Sequence, residues 1–383
     1  MSVLLVCEDP GGVDVIVPIE RRLTELGVAH EVLSSGPGNA VWQRHGIPFV
    51  DISAAMREPP DPAAVDAQVA RHQPRVVVTA TSFPRRVEKL FRRTARARGI
   101  PSVMVLDADR TDLYRTDPEE IACRPDLAIS IGDRMTAQLA AAGYNTARIL
   151  TAGHLGLAPI AAAGRGIAEA DAAAWKRGFM ETSDGRELIV VFSDNITQVF
   201  GETGALAEIG YHERIAVPAL LRAIAATAGQ CGRRYEVVVK LHPKEAPGHF
   251  SDLYRDLTGD RLRFREIAAC DNLRLIRAAD HILGLYSIVM VWSTLLGRPT
   301  LSYQPEARQD TLLVTVEEGA APCCWRAADL KPMVQAFLTD SDLRTQWQRR
   351  TMAWRPDLLD GAANVTDAIL RLAATPGGVS AAD

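Results

Sequence analysis

The chain has 383 residues, 47% of them hydrophobic and 23% charged, with 43 Lys and Arg against 47 Asp and Glu for a formal net charge of −4. That length exceeds what one core usually organises, so two domains are expected, and the lack of a basic excess argues against a nucleic-acid partner. Only Val3 to Val6 precede Cys7, Glu8 and Asp9, without the basic front and long apolar core of a signal peptide, so the expected location is the cytoplasm.

The first elements alternate apolar strands with helical patterns, which favours a parallel sheet covered on both faces. SVLLVCED reads as a strand, VDVIVPIERRLTELG as a helix and HEVLSS as a strand; a short helix around AVWQRHG, strand IPFVDI and a helix near AAVDAQVARHQ follow. Strand RVVVTATS, helix PRRVEKLFRRTARARG, strands PSVMVLDAD and DLAISIG and helix DRMTAQLAAAG complete a Rossmann-like half, placed at residues 1–160. TAGHLGLAPIAAAGRGIAEAD, rich in Gly and Ala, reads as a connection between domains.

A second alternating series starts with a helix near AAAWKRGFM and strand ELIVVFSD. Helix YHERIAVPALLRAIAATAG, strand YEVVVKLHP, helix HFSDLYRDL, strand RLRFREI and helix NLRLIRAAD extend it, and strand HILGLYS, helix IVMVWSTLLG, strand PTLSYQ and terminal helices close it. This second Rossmann-like domain is placed at residues 161–383. The longest apolar run, Ile282 to Leu296, is interrupted by Tyr286, Ser287, Ser293 and Thr294 and is too short to span a bilayer. Two such domains facing one another would direct the carboxyl ends of both sheets, where ligands bind in open α/β folds, into one cleft.

Three segments carry residue types suited to chemistry. EDPGGVD, Glu8 to Asp14, joins a strand to a helix; Gly11 and Gly12 allow close backbone approach, and Glu8 or Asp9 is placed to act as a general base. The segment is not GxGxxG, so a dinucleotide fingerprint is absent. VVVKLHPKE, Val237 to Glu245, puts His242 at a strand exit fixed by Pro243, with Lys240 and Lys244 adding positive field, an arrangement suited to an anion. LYSIVMVWSTLLG places Tyr286 and Ser287 where a strand ends and a helix opens, and a capped helix start presents N–H groups and a hydroxyl to phosphate. Ser193 and Asn195 end the first strand of the second domain, and Thr81 and Ser82 end a strand of the first, so all four are expected along the cleft.

Together KLHP, LYSIVMVWSTLLGRPTLSYQ and the N-terminal glycine turn resemble GT-B glycosyltransferases, in particular HP-motif bacterial sialyltransferases and CDP-glycerol glycerophosphotransferase-like enzymes. The resemblance implies that His242 and Ser287 hold the phosphates of a nucleotide-sugar donor in the second domain while the first takes a small-molecule or glycan acceptor. Those families carry a Ser-Ser pair where this chain has Tyr286-Ser287-Ile288, and an acidic pair followed directly by glycine where Pro10 intervenes here. The expected activity is therefore an inverting, metal-independent transfer of a sugar to a hydroxyl or amine, with His242 stabilising the leaving phosphate and Asp9 or Glu8 as base. No cofactor beyond the nucleotide-sugar co-substrate is expected. A second reading is a non-hydrolysing UDP-sugar 2-epimerase, which shares the architecture and an HP-containing strand end, and a third is a nucleotide- or partner-binding GT-B protein without catalysis.

Other features carry less. DADRTD, Asp107 to Asp112, has spacing that can hold a divalent ion but equally suits a solvated loop. Six cysteines lack paired CxxC spacing and read as buried or idle thiols. The basic run Arg85 to Arg98 reads as a solvated helix face, with peripheral contact to an anionic membrane as its functional alternative. The sequence leaves the oligomeric state open.

Overall fold

The computed structural model describes residues 2–56, 61–82, 87–107, 118–180, 185–242, 245–308, 313–354 and 361–375. The chain divides into two compact units, Met1–Pro159 with Arg355–Asp383, and Ile160–Trp354.

The first unit holds a sheet of seven parallel strands: β1 (Ser2–Cys7), β2 (Ala29–Ser34), β3 (Val50–Asp51), β4 (Val76–Thr79), β5 (Ser102–Val105), β6 (Leu127–Ser130) and β7 (Ile149–Thr151). Their order is β3-β2-β1-β4-β5-β6-β7. Strand β1 shows why this sequence makes a covered sheet. Its Val3, Leu5 and Cys7 enter one core with Val13, Ile16 and Trp42, while Leu4 and Val6 enter another with Val65, Val69 and Phe91. Side chains alternate across a strand, so an unbroken apolar run is stable only where both faces are buried, at about 1.5–3 kcal/mol for each large side chain.

The second unit holds six parallel strands: β8 (Glu187–Phe192), β9 (Tyr235–Lys240), β10 (Leu262–Ile267), β11 (His281–Gly284), β12 (Thr300–Tyr303) and β13 (Cys323–Cys324). Their order is β10-β9-β8-β11-β12-β13. On one face Ile189, Val191, Val237 and Val239 share a core with Leu220, Ile224 and Phe337.

Each sheet reverses direction once beside its first strand, between β1 and β4 in the first unit and between β8 and β11 in the second. At such a reversal the connections leave to opposite sides and open a crevice at the carboxyl ends of the two strands. Glu8, Asp9, Thr81 and Ser82 follow β1 and β4, and Ser193, Asn195, Tyr286 and Ser287 follow β8 and β11, so the sequence candidates stand at these two points.

Three expectations need correction. The terminal helix Gly361–Ala374 belongs with the first unit and not with the domain assigned to 161–383, because Val365, Ile369 and Ala373 are buried in the core of Val3 and Leu5. The stretch read as a connection does carry the boundary between the units, at Pro159 and Ile160, but it is helical over Leu157–Gly166 because its alanines are strong helix formers, and the helix expected near AAAWKRGFM starts earlier, spanning Glu169–Met180. A helix at Ile196–Glu208 was not anticipated; its β-branched start and two glycines disguise it, and Gly201 breaks it with φ 69°. Among the described residues no helix is long and apolar enough to cross a membrane.

Candidate functional site

The crevice of the first sheet is lined by acids. The helix Pro10–Glu25 begins one residue earlier than the glycine pair, so Gly11 and Gly12 form its first turn instead of a loop. A methyl group on Gly12 would stand 2.6 Å from Cβ of Ala80, just past β4, and one on Gly11 would stand 2.6 Å from Oδ2 of Asp107, just past β5. The glycines are thus required for the helix to start directly against the strand ends.

Glu8 is buried, and its backbone N–H donates to Oε1 of Glu88 at 3.0 Å. The Ser82 hydroxyl bonds the other oxygen of Glu88, and the Thr81 hydroxyl bonds Oδ1 of Asp107. Burial raises the Glu88 carboxyl to about 8 against the hydroxyl bond from Ser82, with the Glu8 and Asp9 charges adding to the rise. Asp107 is raised to about 6, again chiefly by burial, while the Thr81 bond opposes the rise. His154 approaches the Asp107 backbone carbonyl with Nε2 at 3.1 Å, and burial lowers its pKa to about 4, so the ring is neutral and Nε2–H donates. The lone pair of its Nδ1 is buried without a protein partner. Of the sequence candidates, Glu8, Asp9, Gly11, Gly12, Thr81 and Ser82 therefore meet at one edge, joined by Glu88, Asp107 and His154. Glu88 was absent from the sequence candidates because it lies in a basic run whose buried side only the fold reveals. Asp107 was legible only as the start of a metal-type spacing whose remaining residues lie outside the described ones.

The second sheet's crevice is arranged around backbone and hydroxyl donors. Strand register sets its level: Phe192 pairs with Lys240 on one side and Gly284 on the other. Two residues further along each segment come Asp194, His242 and Tyr286. Ser287 takes the extended backbone of an N-cap to the helix Ile288–Leu295, its hydroxyl makes no capping bond, and its carbonyl accepts from Met290 N–H at 2.9 Å. Ser293 and Thr294 donate to the carbonyls of Val289 and Met290 and belong to the helix interior.

His242 is anchored through its backbone, its N–H donating to Oε2 of Glu245 at 2.7 Å, and the Ser193 hydroxyl donates to the other oxygen at 2.9 Å. Glu245 is raised to about 7, mainly by burial. Lys240 donates through Nζ to the carbonyls of Leu241 at 2.6 Å and Ala268 at 3.1 Å, and burial lowers its pKa, so its ammonium is committed to the strand ends of β9 and β10. The Asn195 backbone N–H donates to Oδ1 of Asp194 at 2.9 Å. Pro243 and Lys244 lie outside the described residues. Ser193, Asn195, Lys240, His242, Tyr286 and Ser287 thus share one edge, together with Asp194, Tyr211 and Glu245, which the sequence reading holds within the segments Ser193–Asn195, Glu208–His212 and Val237–Glu245 without a role of their own, and Glu213, which it does not single out. Asp194 sits inside the noted SDN triplet, but nothing in the string distinguishes it from a solvated turn residue. Among the described residues no group of three or more His, Cys, Asp and Glu side chains is arranged to hold a metal ion.

No protein-family model matches the chain, and no curated protein matches it by sequence. Among solved structures it is similar to a UDP-GlcNAc 2-epimerase from Neisseria meningitidis bound to UDP-GlcNAc, at 13% identity over 97% of this chain and 100% of that one, with a TM-score of 0.69. It is equally similar to the UDP complex of MnaA from S. aureus, at 12% identity over 97% of each chain and a TM-score of 0.69. MurG of Acinetobacter baumannii follows at 11% identity, 97% and 99% coverage and a TM-score of 0.57. The fold is therefore α/β of the GT-B kind, two Rossmann-like domains with sheets of seven and six parallel strands. The named structures are 2-epimerases and MurG, so they support the GT-B fold and leave the narrower resemblance to HP-motif sialyltransferases and CDP-glycerol enzymes without support.

Proposed function

We propose that the protein is a nucleotide-sugar enzyme that inverts C2 of a UDP-N-acetylhexosamine without hydrolysing it. The cluster of buried, upward-shifted carboxyls at the first sheet's crevice carries this reading, and the full-length likeness to UDP-GlcNAc 2-epimerases supports it.

Inversion at C2 removes a proton from one face as the C1–O bond to the diphosphate breaks, leaving a C1–C2 double bond, and then returns a proton to the other face of C2 as the diphosphate oxygen re-forms its bond to C1. A sugar C2–H is acidic only as the neighbouring C1–O bond to the diphosphate loosens, so the reaction needs both proton-handling groups and a holder for the departing diphosphate. A carboxyl raised to about 6 sits near neutral pH, where a group can both accept and return a proton, and Asp107 has this property. Asp9 is a second carboxyl of the same edge, and Glu88 holds Glu8 and Ser82 in place. In the second unit His242, the Ser287 hydroxyl and the N–H groups opening Ile288–Leu295 receive the diphosphate, stabilising the charge it gains.

Group transfer remains the second reading. It uses the same diphosphate edge, with Asp9 or Glu8 deprotonating an acceptor hydroxyl or amine, and the KLHP and Ser287 segments favour it. Product analysis separates the two. Incubation with UDP-GlcNAc alone, followed by proton NMR of the sugar ring, is expected to show the C2 epimer still joined to UDP. Unchanged substrate, or UDP released only when a glycan acceptor is added, overturns the epimerase assignment.

A further inference from the structure

Resting on the nucleotide-sugar reading, we infer that Asp194 takes up a proton when the diphosphate binds and donates it as a hydrogen bond to a phosphoryl oxygen, making nucleotide-sugar affinity depend on protonation of this residue.

The geometry places Asp194 at the centre of the second crevice. It follows β8 at the reversal point, two residues beyond Phe192, which pairs with Lys240 of β9 and Gly284 of β11. The backbone N–H of Asn195 holds Oδ1 of the carboxyl, and the Tyr286 backbone nearby opposes the rise of its pKa. Oδ2 is buried without a hydrogen-bond partner, and the whole residue is 5% exposed. A buried, unpartnered oxygen is costly, by ~1–3 kcal/mol, unless a ligand or water completes it. The Tyr211 hydroxyl, close enough for mutual charge effects with Asp194, is buried and unpartnered as well.

The surroundings settle which protonation state a phosphate accepts. Facing Asp194 are Glu213 at the start of Glu213–Cys231, Glu245 beyond β9 and the phenol of Tyr211, which in turn meets the ring of Tyr286. Burial first, then Glu213 and Glu245, raise the Asp194 carboxyl to about 7. An anionic diphosphate arriving between His242 and Ser287 pushes it further up, because a like charge disfavours the ionised form. Protonated, Oδ2 becomes the donor that the phosphoryl oxygen lacks there; ionised, it repels the ligand. Glu245 does not compete for this role, since both its oxygens already accept, from Ser193 and from His242. The proton comes from solvent and returns to it when the ligand leaves.

The test titrates UDP-GlcNAc, whose diphosphate diester does not itself ionise near neutrality, into the full chain by calorimetry from pH 6 to 8.5 in buffers of differing ionisation enthalpy. The expected result is affinity falling by roughly 10- to 30-fold across that range with net proton uptake at pH 7.5. Asp194→Asn keeps a donor without titrating, so its affinity is flat with pH and it binds more tightly than wild type at pH 8.5. Asp194→Ser, also a non-titrating donor, provides a second variant with the same flat profile. A pH slope or proton uptake that survives in these variants, or is absent from wild type, overturns the role of Asp194. Failure to bind UDP-GlcNAc at any pH overturns the nucleotide-sugar reading and this inference together.

Discussion

The two carboxyl edges share the Rossmann form and each holds carboxyls raised toward neutrality, but the groups around those carboxyls differ. In the first unit the helix after β1 is pressed against the strand ends by Gly11 and Gly12, and carboxyls are buried behind hydroxyls, giving groups that exchange protons near neutral pH. In the second unit the helix after β11 opens on a serine whose hydroxyl makes no capping bond, and the backbone N–H of His242 is tied to Glu245, beside the buried carboxyl of Asp194. The comparison teaches that a shared topology fixes where ligands are met, while the residues just past the strands decide whether that place holds charge or moves protons.

If that division of labour is right, substitutions at the two edges fail in different ways. The largest effect is expected from Asp107→Asn, which keeps the Thr81 contact but removes the proton acceptor: turnover of UDP-GlcNAc falls by about 10²–10⁴-fold with affinity nearly unchanged, as steady-state kinetics and calorimetry would show. His242→Ala should do the reverse, weakening UDP-GlcNAc binding by about 10- to 100-fold, the worth of one charge-assisted hydrogen bond. Equal turnover and affinity in the wild type and this variant would remove the second edge from the account.

Effects on stability test the packing beneath the chemistry. Gly12→Ala forces a methyl to within 2.6 Å of Ala80 Cβ and should lower stability by about 1–3 kcal/mol in denaturant melts. Glu88→Gln should be stabilising in a pH-dependent way. The folded pKa of Glu88 is raised to about 8, so its contribution is fully present below the ordinary carboxylate range and is lost as pH rises toward 8. Glutamine mimics the protonated acid, accepting from Glu8 N–H and donating to Ser82. Its advantage over wild type is therefore near zero below the ordinary carboxylate range, small at pH 5, and grows to roughly 4 kcal/mol at pH 8. A constant difference across that range would mean that Glu88 does not titrate as described.

Much of this arrangement was legible in the string. Unbroken apolar runs such as Val76 to Val78 and Val237 to Val239 marked strands buried on both faces, and the residues just after them marked the edges. What was hidden depended on distance along the chain. Glu88 reaches Glu8 across 80 positions and His154 reaches Asp107 across 47, and no local pattern encodes such meetings. The terminal helix Gly361–Ala374 shows the same limit, since a stripe of Val365, Ile369 and Ala373 announces a buried face without saying which sheet covers it. Lys240 read as a free positive charge, but its place at a strand end turned the ammonium onto two carbonyls.

Solvent exchange tests the central claim most directly. With UDP-GlcNAc in deuterated water and no acceptor, the account predicts deuterium at C2 of the sugar, found by mass spectrometry in both the recovered substrate and its epimer. Substrate recovered with protium retained at C2, or UDP and a glycosylated product with protium at C2 once an acceptor is supplied, would contradict it.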